Sequence, residues 1–114
     1  MRRDDERLQD ILISIAAIER GTAEGRAEFN EDEYRQIFVA HNIQTIGEAV
    51  ANLSIGLRSK YRKIPWSDIV AMRNIIVHGY FHVDRDEVWR VVEHDLPPLK
   101  EAVTKILETL KPTN

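Results

Sequence analysis

The chain has 114 residues, 43% hydrophobic and 31% charged, with no cysteine and a formal net charge of −3. That length suits one domain around one core, and the missing cysteines exclude disulfides and thiolate metal sites. The acidic balance argues against binding nucleic acid by bulk charge, so any such contact has to come from a local patch.

The opening run MRRDDERLQD is charged and leads into no apolar segment of signal type. The apolar clusters are too short to span a bilayer, so a cytoplasmic protein with no membrane partner is expected. From there the hydrophobic spacing is helical nearly throughout. Leu8, Ile11, Leu12, Ile15 and Ile18 predict an amphipathic helix over roughly residues 2–20, ended or loosened by Gly21 and Gly25. Asn30-Glu31-Asp32-Glu33 has the form of a capping box, from which a second helix is expected to run from about 31 towards 58. Its small residues Gly47, Ala49 and Ala51 would let a neighbouring helix approach closely.

A basic connector, RSKYRKIP, follows. Pro65 suits the first turn of a third helix, where its missing N–H costs nothing. That helix carries Trp66, Ile69, Val70 and Met72 and is expected to continue through RNIIVHGYF, residues 73–81. Asp84-Arg85-Asp86-Glu87 is a second capping pattern and opens a helix with Val88, Trp89, Val91 and Val92. Pro97 and Pro98 then break that helix or open another, with Asp95 as its cap. The last stripe is Leu99, Val103, Ile106 and Leu110; this segment could equally be a kinked continuation of the fourth helix. No strand, repeat or low-complexity tract is read. The expectation is an all-α, up-and-down bundle of four to five helices in a single domain, residues 1–114.

The chemistry concentrates in RNIIVHGYF. On one ideal helix Asn74 and His78 share a face, as do Arg73 and Tyr80, but His78 lies about 140° around from Arg73. The two converge only if the helix ends near His78-Gly79 or if a symmetry-related subunit supplies the second residue. The favoured reading is the contribution of a dimer. Singly, each of these residues has a plain structural role; together they suit phosphoryl chemistry on RNA. A histidine can exchange a proton at neutral pH. An arginine offers a planar fork of donors and a persistent charge to a phosphate. RNA brings its own nucleophile, the 2′-hydroxyl. No carboxylate cluster beside the motif calls for a metal, and no cofactor is expected.

The pattern R-N-x-x-x-H-x-Y-F, preceded by Trp66 and Met72 and followed by Val83-Asp84, resembles the HepT-like branch of the HEPN superfamily. Ile46-Gly47-Glu48-Ala49, Asn52-Leu53-Ser54 and Asp95-Leu96-Pro97 resemble other segments of that family. The resemblance implies a HEPN-like helical fold and a metal-independent endoribonuclease toxin, working as a homodimer whose two motifs line one cleft. It implies that Arg73 and His78 carry catalysis and that Asn74 orients His78 or contacts the phosphate. It implies a minimal nucleotidyltransferase antitoxin of the MntA type that blocks the toxin by attaching AMP to Tyr80. The alternative is a non-catalytic bundle that partners a nucleotidyltransferase without cutting RNA.

Two further features bear on RNA. Arg58, Lys60, Arg62 and Lys63 surround Tyr61 just before the motif helix and could hold an RNA backbone and stack a base. They could equally be a solvated helix end that complements the dipole. His78 and His82 have the four-residue spacing of helical metal ligands, but Gly79 stands where a metalloprotease motif needs glutamate, and His82 is expected in the loop before Asp84.

Overall fold

A computed structural model of the chain describes residues 3–75, 77–78 and 82–110, except for the side chains of Ile75, Val77, His78 and His82. Leu8, Ile11, Ile15 and Ile18 recur every three or four residues and are buried, and this stripe defines helix α1, Asp4–Gly21. Its first turn carries Asp4, Asp5 and Glu6 at the positive end of the helix dipole. Gly25, at a φ of 95°, then turns the chain into the short helix α2, Arg26–Glu31. A side chain would be strained in that backbone. Phe29 of α2 is fully buried, its ring centroid 5.3 Å from that of Trp89.

Helix α3, Glu33–Ala51, is capped by Asp32, whose carboxylate accepts the Arg35 N–H at 3.1 Å. The expected cap at Asn30 is therefore corrected by two positions. Asn30 lies inside α2; its carbonyl accepts from Gln36 and Arg85, while its buried Oδ1 has no hydrogen-bond partner among the described residues. The chain becomes extended at Asp32, and a cap has to sit at that junction.

The expected run to residue 58 is also divided. α3 stops at Ala51, and Ser54 opens a separate short helix α4, Ile55–Lys60. The Ser54 hydroxyl accepts the Leu57 N–H at 3.1 Å and donates to Asp4 at 2.6 Å, so the break is tied to the start of α1. Helix α5, Trp66–Ile75, follows. It ends before the motif is complete, and the expected continuation through His78 is corrected. Val77–His78 (β1) and His82–Val83 (β2) form a two-residue antiparallel ladder, with Val77 opposite Val83 and His78 opposite His82. The run Ile75-Ile76-Val77 is β-branched, which disfavours helix and favours extended backbone. His82 accordingly stands in β2, not in a loop.

Asp84 caps helix α6, Arg85–Arg90, by accepting the Glu87 N–H at 3.1 Å, as the sequence predicts. A π-helical turn, Val91–Asp95, joins α6 to helix α7, Leu96–Leu110, without a break. The kinked-continuation reading of the last helix therefore holds, and the cap expected at Asp95 does not. Asp95 lies within the π turn, and its carboxylate pairs with Arg90 at 3.3 Å. Pro97 and Pro98 cannot donate to the preceding turn, and the widened turn takes up that mismatch.

The result is an all-α bundle of four long helical segments, α1, α3, α5 and α6–α7, linked by α2 and α4. α3 packs along both α1 and α5, and α7 lies against α1. Ile11, Ile15, Ile43, Ile46, Val50, Val88, Val103 and Ile106 belong to one contiguous core. Among the described residues no helix is long and apolar enough to cross a membrane.

Candidate active site at the end of the motif helix

α5 sets the site by what it buries. Trp66, Ile69 and Met72 face the core, which leaves Arg73 half-buried and Asn74 exposed in the last turn. α3 approaches this turn closely at Gly47. A Cβ placed on Gly47 would stand 3.1 Å from the Arg73 Cβ and 3.4 Å from the carbonyl oxygens of Ile69 and Val70. The expected close approach of a small residue is thus realised at Gly47. The next residue, Glu48, reaches the Arg73 guanidinium, with Oε2 2.9 Å from Nη1. The pair is open to solvent: the Arg73 side chain is 36% exposed and that of Glu48 66%.

Because α5 ends at Ile75, His78 is not on the same helix as Arg73. Its backbone lies in β1, paired with His82, so the 140° divergence of an ideal helix does not describe the motif. The His78 side chain and the whole of Tyr80 lie outside the described residues. The structure thus brings Arg73 together with Glu48, a residue to which the sequence reading gave no role. Twenty-five positions separate the two, and no local periodicity links them; the one hint was the small Gly47 beside it.

The basic connector sits at the other end of α5. Trp66 to Arg73 spans about 10 Å along the helix axis, so the patch and the motif are separate features on one element. Its four cations differ. Arg58 is half-buried, and its Nε has no hydrogen-bond partner among the described residues. Lys60, Arg62 and Lys63 are exposed. Lys60 Nζ lies 5.7 Å from the centre of the Tyr61 ring, and Tyr61 packs partly against the core. Arg58 and Arg62 line one cavity, of about 440 Å³, beside Trp66 and Asp68. Lys63 lines another, of about 560 Å³, between α5 and α7, with Asp68, Met72, Arg90 and Leu99. Neither cavity is lined by Arg73 or Asn74. Arg90 is held more firmly in its charged form by its hydrogen bond to Glu87, with a smaller contribution from Asp95. No group of three or more histidine, aspartate or glutamate side chains able to hold a metal ion occurs among the described residues.

An exposed apolar stripe lies on α3. Tyr34, Ile37 and Phe38 are exposed, on the side of the helix away from its buried Val39, Ile43, Ile46 and Val50. Tyr34, His41 and Glu48 are spaced by sevens, which places the Arg73 partner on the same side as this stripe.

The family model described as ribonuclease HepT-like matches residues 11–106. Among similar proteins is one of Methanocaldococcus jannaschii named as a gamma-glutamylcyclotransferase and candidate RNase, 41% identical over 96% of this chain. The chain spans about half that protein's length, 50%. A probable ribonuclease HepT of Thermococcus cleftensis is 34% identical over 92% of this chain and 96% of its own length. A candidate RNase of Caldanaerobacter subterraneus subsp. tengcongensis is 33% identical over 82% of this chain and 84% of its own. No solved structure matches. The family model covers the core helices and the motif together, and the chain belongs to the HepT-like ribonuclease family of the HEPN superfamily.

Proposed function

We propose that the protein is a metal-independent endoribonuclease, the toxin of a toxin–antitoxin pair. The observation that carries this reading is Arg73: in a chain of the HepT-like ribonuclease family, the last turn of α5 presents a half-exposed guanidinium held by only one described partner. In the proposed reaction a 2′-hydroxyl attacks the adjacent phosphorus and the bond to the 5′-oxygen breaks. His78, as general acid/base, accepts the proton from the 2′-oxygen and returns one to the leaving 5′-oxygen. A 2′,3′-cyclic phosphate and a 5′-hydroxyl result. Arg73 binds the phosphate and offsets the charge that builds on it. Asn74, exposed beside it, orients His78 or contacts the phosphate.

The working unit is a homodimer whose two motifs line one cleft, each subunit being one domain over residues 1–114. The apolar stripe of α3 runs on the same side of that helix as Glu48, the partner of Arg73, which favours a site completed by a second copy. Lys60, Arg62 and Lys63, with Arg58 behind them, track the RNA backbone farther along α5. A minimal nucleotidyltransferase antitoxin of the MntA type restrains the toxin in the cytoplasm by adding AMP to Tyr80, which places bulk and negative charge where the RNA phosphate should bind.

The test is cleavage of single-stranded RNA by the purified protein. Cutting is expected to survive EDTA, to stop in His78→Ala, and to stop when the 2′-hydroxyl at the cut site is replaced by hydrogen. Cutting that needs added metal, or that persists without His78, sinks the mechanism. Co-expression with the nucleotidyltransferase is expected to raise the intact mass in whole AMP units, and Tyr80→Phe to abolish that rise.

A further inference from the structure

We propose that Glu48 is the positioning residue for Arg73, so that the candidate active site is built from two helices and not from the motif alone. The inference rests on the ribonuclease reading above and extends it to a residue outside the motif.

The geometry has two parts. At the base of Arg73, the absence of a side chain on Gly47 lets α3 come so close that the Arg73 Cβ is only 3.1 Å from where a Gly47 Cβ would stand. This close approach of the two helices sets the Arg73 stem directly against α3. At the tip, the neighbouring Glu48 accepts from Nη1 at 2.9 Å. Two successive residues of one helix therefore set both ends of the same side chain.

The pair contributes little to folding, because both partners are substantially open to solvent. What it supplies is direction. A guanidinium has five N–H donors in a rigid plane, and fixing one of them orients the others. Among the described residues Glu48 is the one partner of Arg73, and it takes a single nitrogen. No other described residue takes the remaining edge, which can meet a phosphate without loss of the glutamate contact. An arginine free to rotate would have to be ordered during the reaction, and that cost would appear in the chemical step.

The experiment compares wild type, Glu48→Ala, Glu48→Gln and Arg73→Ala on one labelled, mixed-sequence single-stranded RNA, measuring kcat and KM separately, with a thermal melt of each protein. Glu48→Ala is expected to lower kcat about tenfold, with KM changed by less than about twofold and an unchanged melt. Glu48→Gln keeps an acceptor at the same reach and is expected to restore kcat to within about threefold of wild type. A Glu48→Ala protein with wild-type kcat overturns the inference. So does a loss confined to KM, or a Gln variant as impaired as the Ala one. The Arg73→Ala arm separates this failure from that of the parent reading. If Arg73→Ala cuts like wild type, or if wild type cuts nothing, the ribonuclease reading fails and the positioning role goes with it. If Arg73→Ala is inactive while Glu48→Ala is untouched, only the positioning role fails.

Discussion

The two ends of α5 use polar side chains in opposite ways. At its start, the Trp66 ring is buried and its Nε1–H is shared between the carbonyls of Arg58 at 3.2 Å and Tyr61 at 3.1 Å. The indole closes the α4–α5 corner, and every polar atom it brings inside is spent on the fold. At the other end, Arg73 stands half-exposed with one described partner, which is itself mostly in water. Removing polarity at the first end should damage the structure and at the second end should damage chemistry. An arginine at the end of an apolar helix is therefore best judged by what holds it and how much water still reaches it.

The largest expected effect tests the far end. Arg73→Ala should reduce RNA cleavage by about a thousandfold, the loss expected for the group proposed to offset phosphate charge. Its stability should change by no more than about 1 kcal/mol, the range of an exposed ion pair. A gel assay beside a urea melt checks both, and a large stability loss with intact cleavage would erase the contrast. Trp66→Ala should do the reverse, costing about 3–5 kcal/mol for a large buried aromatic, measured as a shift in the urea midpoint. Gly47→Ala sits between the two. The new methyl meets the Arg73 stem and two carbonyls, so a stability cost of about 1–3 kcal/mol is expected, together with a fall in kcat larger than that of a distant variant of equal stability. The smallest effect belongs far from both ends. Ser54→Ala removes the α4 cap and its bond to Asp4, and should cost about 1 kcal/mol with cleavage unchanged.

The helical segments were largely legible because their apolar residues repeat at helical spacing, as in Leu8-Ile11-Ile15-Ile18 and Leu99-Val103-Ile106. Boundaries were less so, since several residues in one stretch can cap. Asn30 and Asp32 both qualify as caps, and only the extended backbone at Asp32 selects it. Ser54 reads as an ordinary helix residue until Asp4 of another helix is found bonded to it. The end of α5 at Ile75 departs furthest from the periodic pattern. Ile75, Ile76 and Val77 satisfy an apolar helix pattern, and their β-branching, which disfavours helix and favours extended backbone, is not visible to period alone.

The sequence by itself determined the bundle class and the residue types of RNIIVHGYF, whose arginine and histidine suit phosphate binding and proton exchange. It also determined the family, because motif and core pattern occur together along most of the chain. Only the tertiary structure decided that Arg73 and His78 belong to different elements and that Glu48 holds the arginine. It also separated the basic connector from the motif by the length of α5. The reason is one of range: helix period and capping act over a few residues, whereas the Glu48–Arg73 contact joins positions 25 residues apart and exists only because α3 and α5 close on Gly47.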